Sequence, residues 1–203
     1  NNKARMGWPP FKWTEVYQRC EDIYNTGRTE YINTGIYPNN YTRFIIDFQI
    51  DETYFGTSGD RQIVEDIEGT YTAFGITGNT TDNYLKLYYN SRDGGHNGQY
   101  DAPIATKTYA SRALLSERHV VDFNRSGGYF YIDDVQVATS TKTFSTYARS
   151  LPLFAINGGS GISTSNALKF KLYSFKVYND STLIRDMVPC YRKSDLEIGL
   201  YDF

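Results

Sequence analysis

The sequence is poor in the residues that build metal sites and disulfide frameworks. Its 203 residues include two cysteines, two histidines and six prolines. Two cysteines are too few for a disulfide scaffold, and two histidines with two scattered cysteines argue against a zinc site. The 21 Lys and Arg almost balance the 23 Asp and Glu, and no long basic run occurs. This balance argues against electrostatic binding of nucleic acid.

Long hydrophobic runs are absent as well. No apolar stretch approaches the roughly 20 residues needed to cross a bilayer, so the sequence predicts no transmembrane helix and no insertion into a membrane. The chain starts at Asn1 without a basic-then-apolar leader, so no signal peptide is visible. The start without Met and the stop at Phe203 lead us to expect part of a longer, multidomain chain.

What the sequence has in abundance is tyrosine and phenylalanine. It contains 19 Tyr and 12 Phe, and its formal net charge is -2. Abundant aromatic residues and a low net charge are not the composition of a disordered chain. The length fits one large domain or at most two small ones, so the composition predicts a tyrosine-rich globular domain.

Apolar residues alternate at period two over many short segments, which is typical of strands. In the segment Arg43–Ile50, the residues on one predicted strand face are Phe44, Ile46, Phe48 and Ile50. Further alternating segments lie at 71–76, 84–90, 119–123 and 129–132. Turn residues separate these segments; Asp133-Asp134 is expected to form a short hairpin turn without the usual glycine, and Ala110–Glu117 offers at most one or two helical turns. This spacing predicts an all-β sandwich or barrel.

The alternation slips by one residue between positions 169 and 179. Phe170 and Leu172 share one parity, whereas Phe175 and Val177 share the other. A β-bulge near Tyr173-Ser174 would restore one continuous apolar face. We therefore predict a bulge at that point.

Two stretches of the sequence together resemble a known family. The first is YINTGIYPN at 31–39, which leads into the alternating strand from Arg43. The second is LYSFKVYN at 172–179, followed by LIRDMVPC at 183–190, RKSD at 192–195 and IGLYD at 198–202. Between them, RHVVDF at 118–123 and YFYID at 129–133 are similar to the family's central strand pair. From about Asp22 to Asp202, the chain resembles the laminin-G-like branch of the concanavalin-A-like jelly rolls of bacterial surface proteins and phage structural proteins.

The resemblance implies a two-sheet antiparallel jelly-roll β-sandwich over residues 22–203. Residues 1–21 would then be an N-terminal extension or linker that packs on the sandwich. Such domains often have one curved, ligand-accepting face, and they commonly bind glycans or attach to other proteins. The resemblance further implies an extracellular, cell-surface or virion location, but fold alone does not imply catalysis.

One strand of the sequence predicts a ligand-binding face. Its residues are Tyr84, Lys86, Tyr88 and Asn90, and we expect Tyr71, Ala73 and Gly75 beside them on the same sheet. Candidate residues at the rim of that face are Arg92, Asp93, His96, Asn97, Gln99, Tyr100 and Asn157. Sugar rings stack their C–H faces on aromatic side chains, and their hydroxyls need amide, acid and guanidinium partners. Outward tyrosines also stabilise cross-strand pairs without binding anything, so both interpretations stay open.

Catalytic chemistry is not supported by the residue pattern. The acids of Asp51-Glu52, Glu65–Glu68 and Asp133-Asp134 lack the spacing of a hydrolase strand, and we interpret them as solvated loop and turn acids. His119 lies on the apolar parity of its strand, which indicates a packed histidine rather than a catalytic one. Loop Asp and Asn side chains with backbone carbonyls would suffice for calcium, but no spaced acidic loop motif stands out. We therefore expect no cofactor, with calcium as the open alternative. The residue pattern also predicts no enzyme activity.

Two functions are therefore carried forward. The first is a non-catalytic, lectin-like carbohydrate-binding module of a larger surface protein, with a glycan as its ligand. The alternative is a structural or adhesion domain of a virion or cell surface that contacts other proteins. Cys20 and Cys190 could form a disulfide or remain free thiols, and free thiols are the expectation.

Overall fold

A computed structural model describes most of the chain. It describes residues 17–24, 30–51, 61–68, 71–90, 103–109, 112–143, 146–158 and 160–203. These residues form seventeen strands and one short helix, α1 (Arg112–Leu115). A helix long and apolar enough to span a membrane does not occur in these ranges.

The strands follow the alternating segments of the sequence. In chain order they are β1 (Tyr17–Arg19), β2 (Ile23–Tyr24), β3 (Ile32–Asn33), β4 (Thr42–Ile50), β5 (Arg61–Glu68), β6 (Tyr71–Asn79), β7 (Tyr84–Tyr89), β8 (Ala105–Thr108), β9 (Arg118–Arg125), β10 (Tyr129–Ile132), β11 (Val135–Thr139), β12 (Pro152–Leu153), β13 (Ile156–Gly158), β14 (Gly161–Ser163), β15 (Phe170–Asn179), β16 (Thr182–Arg192) and β17 (Ile198–Asp202). The prediction of an all-β chain is confirmed, and helix α1 falls where at most two helical turns were expected.

The strands form two sheets that pack as a β-sandwich. The nine-stranded sheet has the order β1-β16-β15-β4-β9-β10-β11, with β17 beside β16 and β2 beside β15. The eight-stranded sheet has the order β14-β13-β5-β6-β7-β8, with β12 joining β5 to β3. Pairing is antiparallel except between β5 and β13, which run parallel. Because β1 pairs with β16, the sandwich already includes Tyr17–Arg19, which lie within the predicted extension.

Phenylalanine side chains fill the space between the sheets. The rings of Phe44 and Phe123, cross-strand partners in the nine-stranded sheet, stack at 4.5 Å between centroids. Phe74 of the eight-stranded sheet meets them edge-on at 5.9 and 4.9 Å. All three side chains are fully buried. Such pairs contribute about 0.5–1.5 kcal/mol each beyond the burial of their area, so this cluster holds the two sheets together.

The predicted bulge in β15 is confirmed. The register between β15 and β4 shifts between Leu172 and Ser174, so Tyr173 is the extra residue. Phe170 and Leu172 before the bulge, and Phe175 after it, are fully buried. The bulge therefore restores one apolar face and leaves the Tyr173 side chain on the outer face of the sheet, where its hydroxyl donates to Gln49.

The predicted hairpin turn at Asp133-Asp134 is also confirmed. Both residues have positive φ, 51° and 61°, which is the backbone of a type I′ turn. Asp133 also accepts a hydrogen bond from the Val120 amide at 2.9 Å, which ties the turn to the neighbouring strand. Aspartate tolerates this backbone region better than most residues, so the turn forms without glycine.

Gly75 in β6 is required by the backbone. Its φ is +135°, and a Cβ at this position would lie 2.0 Å from the carbonyl oxygen of Val64. The sequence placed this glycine beside the predicted ligand-binding face. The structure instead assigns the glycine to close contact between β5 and β6.

We expect Gly75→Ala to destabilise the fold, because both the backbone angle and the contact with Val64 become unfavourable. The free energy of unfolding, measured by urea denaturation, should fall by about 2 kcal/mol or more. Gly199→Ala is the matched control, since a Cβ there meets no atom within 4 Å. Its effect should stay within about 0.5 kcal/mol. Equal effects of the two substitutions would contradict this account.

Candidate functional site

The polar residues that alternate with apolar ones along β7 lie on the outer face of the eight-stranded sheet. Tyr84, Lys86 and Tyr88 are half-buried there, because the alternate residues Leu85 and Leu87 point into the core. We call the surface formed by Tyr84, Lys86 and Tyr88 the tyrosine face. The predicted division of this strand into a core side and an outer side is confirmed.

Neighbouring polar groups hold the Tyr84 side chain in place. The Asn79 amide donates a hydrogen bond to the Tyr84 hydroxyl at 2.8 Å. The Lys86 ammonium lies 4.9 Å from the centre of the Tyr84 ring, within the range of a cation–π contact. A ring held in this way loses less conformational entropy when it contacts a ligand.

Polar side chains from β5 and β6 form the floor of the tyrosine face. Lys86 pairs with Thr77, which in turn pairs with Gln62, so the three share the outer face. Although they are on an outward surface, Gln62 and Thr77 are only 7% and 3% exposed. Gln62 Oε1 and Thr77 Oγ1 have no hydrogen-bond partner within the described chain. Two buried oxygens in this position can accept hydrogen bonds from a bound hydroxyl or water.

Glu65 adds a carboxylate to the same floor. It pairs with Gly75, which pairs with Tyr88, so the carboxylate belongs to the outer face beside that tyrosine. Glu65 is 3% exposed and lies within strand β5. The interpretation of this residue as a solvated loop acid was therefore wrong. The spacing of the acids did not resemble that of a strand because the register shifts in β5 after Gln62 and after Asp66.

Asn90 and Asn157 are engaged by neighbouring segments. The Asn90 amide donates to the Thr143 carbonyl at 3.1 Å, and its Oδ1 accepts from the Tyr147 hydroxyl at 3.2 Å. Asn157 is buried, and its amide donates to the Ser150 carbonyl at 2.7 Å. Both side chains thus hold loops against the sheet, and neither contributes a group to the tyrosine face through these contacts.

The remaining predicted rim residues lie outside the described residues. They are Arg92, Asp93, His96, Asn97, Gln99 and Tyr100. The side chains of Tyr71 and Ala73 lie outside them as well. The site is therefore built from Gln62, Glu65, Thr77 and Asn79 together with the tyrosine face. The sequence signal for part of this floor was the alternation of Thr77 and Asn79 with core residues along β6.

The described histidine, His119, and the two cysteines, Cys20 and Cys190, lie within the packed fold. His119 is buried, with Nδ1 2.8 Å from an Asp133 carboxylate oxygen and Nε2 donating to the Leu114 carbonyl at 2.6 Å. This confirms a packed histidine. Cys20 and Cys190 are free thiols, and burial raises the pKa of each. Within the described ranges, three or more His, Cys, Asp or Glu side chains never gather as a metal site would need.

Comparisons of the chain with models of known protein families, with curated proteins and with solved structures found no match. The function must therefore be inferred from the geometry of the site.

Proposed function

We propose that this chain is a non-catalytic carbohydrate-binding module of the jelly-roll type that binds a glycan on its tyrosine face. The observation that supports this most strongly is the combination of two half-buried tyrosines with a buried polar floor on an outward sheet surface. Apolar sheet surfaces usually mark protein contacts, whereas polar acceptors beneath aromatic rings match the two sides of a sugar.

The chemistry of a pyranose ring fits the groups on this face. Its C–H surface can lie against Tyr84 or Tyr88, and its hydroxyls can donate to the oxygens of Gln62, Glu65 and Thr77. A ligand hydroxyl that reached Gln62 Oε1 or Thr77 Oγ1 would satisfy a buried oxygen at the moment of binding. An unsatisfied buried polar group costs about 1–3 kcal/mol, so its satisfaction favours the bound state.

Lys86 supplies an ammonium group to this face, and the carboxyl group of Glu65 lies in the next row of cross-strand neighbours. Donors and acceptors together match the hydroxyls of a sugar. On this proposal the chain is a binding module that forms part of a longer extracellular, cell-surface or virion protein.

We expect Tyr88→Ala to weaken glycan binding without unfolding the chain. A glycan array would identify the best oligosaccharide, and titration calorimetry would then give its Kd. Loss of about 1.5–3 kcal/mol of aromatic burial corresponds to a roughly ten- to hundredfold weaker Kd. Tyr88→Phe should keep most of the affinity, because the ring remains.

The control for this experiment is Tyr41→Ala. Tyr41 is 60% exposed, and its carbonyl accepts a hydrogen bond from Asp180 at the hairpin between β15 and β16, outside the eight-stranded sheet. Its removal should leave the Kd unchanged. A chain that binds no glycan on the array, or that binds equally well after Tyr88→Ala, would refute the proposed site.

A structural or adhesion role remains the second candidate, because one edge of the nine-stranded sheet exposes apolar side chains. Leu196 and Ile198 are each 67% exposed, and Phe203 is 59% exposed. Among the described strands, β17 pairs with β16 and lies at an edge of the sheet. Such edges are recognised sites of protein contact.

If this second role holds, the chain should associate through β17. Light scattering would then show a dimer or larger oligomer in the wild type and a monomer after Ile198→Lys. A monomer in the wild type at high protein concentration would remove the support for self-association through this edge.

A further inference from the structure

We infer that the chain has a second sugar site, on the outer face of the nine-stranded sheet, which binds one ring of a neutral saccharide. The site is a cleft of about 310 Å³. Its lining residues are Tyr24, Gln49, Ile50, Asp51, Ser116 and Lys171. It shares no residue with the tyrosine face and lies on the opposite outer surface of the sandwich, so it goes beyond the function proposed above.

The cleft is built on one row of cross-strand neighbours. Tyr24 of β2 pairs with Lys171 of β15, Lys171 pairs with Gln49 of β4, and Gln49 pairs with Arg118 of β9. Directly paired residues share a sheet face, so the four side chains form a continuous row across four strands. Asp51 follows β4, and Ser116 follows helix α1, and these two complete the wall.

The bulge in β15 orders one end of this row. Tyr173, the extra residue of the bulge, donates its hydroxyl to Gln49 Oε1 at 2.7 Å. The Arg118 guanidinium lies 3.8 Å from the centre of the Tyr173 ring and makes two hydrogen bonds of 2.7 Å to Asp47. Because Oε1 of Gln49 already accepts a bond, its NH2 group is the end that can donate to a ligand in the cleft.

The other end of the row presents an aromatic surface. Tyr24 is 44% exposed, and its hydroxyl donates to the Asp51 carboxylate. Burial, and then the hydrogen bond to Asp51, raise the pKa of Tyr24 to about 12, so the hydroxyl stays protonated at neutral pH. A ring with one anchored end and one exposed surface suits the C–H side of a sugar.

The charges around the cleft select against an acidic ligand. Lys171 lies 3.6 Å from a carboxylate oxygen of Asp22, and Asp51 adds a second carboxylate nearby. The one further cation of the row, Arg118, is already paired with Asp47. The lining residues supply one ammonium, that of Lys171, and one carboxylate, that of Asp51, so they give no net attraction for a uronic acid or a sulfated sugar. The mixture of ammonium, amide, hydroxyl and carboxylate groups instead matches the hydroxyls of a neutral sugar.

Two sites on opposite surfaces would make the module bivalent. It could then cross-link two glycan chains by binding one at each site.

The test is a titration followed by amide NMR on the full chain. The probes are the methyl glycosides of glucose, galactose, mannose and N-acetylglucosamine, with glucuronic acid as the acidic comparison. We expect at least one neutral glycoside to shift the amides of Tyr24, Gln49 and Lys171 in a saturable way. Glucuronic acid should not shift them.

Gln49→Ala should raise the Kd obtained from these shifts by about tenfold or more. Tyr24→Ala is a second variant with the same expected result, and its exposed ring makes unfolding a lesser concern. Both variants should leave any shifts on the tyrosine face unchanged, whereas Tyr88→Ala should affect only the tyrosine face. The variants therefore show separately whether the cleft binds a glycoside and whether the tyrosine face does.

The inference would be overturned if no neutral glycoside shifted the cleft amides, or if the shifts persisted unchanged in folded Gln49→Ala and Tyr24→Ala. Equal shifts with glucuronic acid would overturn the selection for a neutral sugar.

Discussion

Aromatic packing between the two sheets is the constraint on which the other features depend. Phe44 and Phe123 from one sheet and Phe74 from the other are fully buried in mutual contact. Each of these rings fixes the parity of its strand, since a slip of one residue would turn the ring to the outside. Tyr89 of β7 joins the same cluster through Phe74, at 6.0 Å between centroids, and so turns Tyr88 outward. The buried rings therefore determine which polar residues of each strand face outward.

The two outer faces use their polar residues differently. On the nine-stranded sheet, Arg43 and Arg125 both bind Asp122, and Arg125 also lies 4.0 Å from the centre of the Tyr131 ring. These charges satisfy one another across strands, and the cleft at Gln49 lies toward the other end of β4. On the eight-stranded sheet, Gln62 Oε1 and Thr77 Oγ1 below the tyrosines have no hydrogen-bond partner among the described residues. A surface that holds unpaired acceptors is better suited to a ligand with many hydroxyls.

The sequence was most informative where period two is unbroken. It predicted the buried face of β4, the outer position of Tyr84 and Tyr88, the bulge at Tyr173 and the turn at Asp133. It failed at β5, because register shifts disturb the alternation and made a buried glutamate resemble a loop acid. The cleft could not be predicted either. Its row joins residues from four strands, and only the sheet order makes them neighbours.

The most direct test of the central claim is a crystal structure of the chain soaked with the best oligosaccharide from the array. The account predicts a pyranose ring against Tyr84 or Tyr88, with hydroxyls within hydrogen-bond distance of the Gln62, Glu65 or Thr77 side chains. A tyrosine face covered by a second copy of the chain in solution and in the crystal, or a sugar bound without contact to these residues, would contradict it.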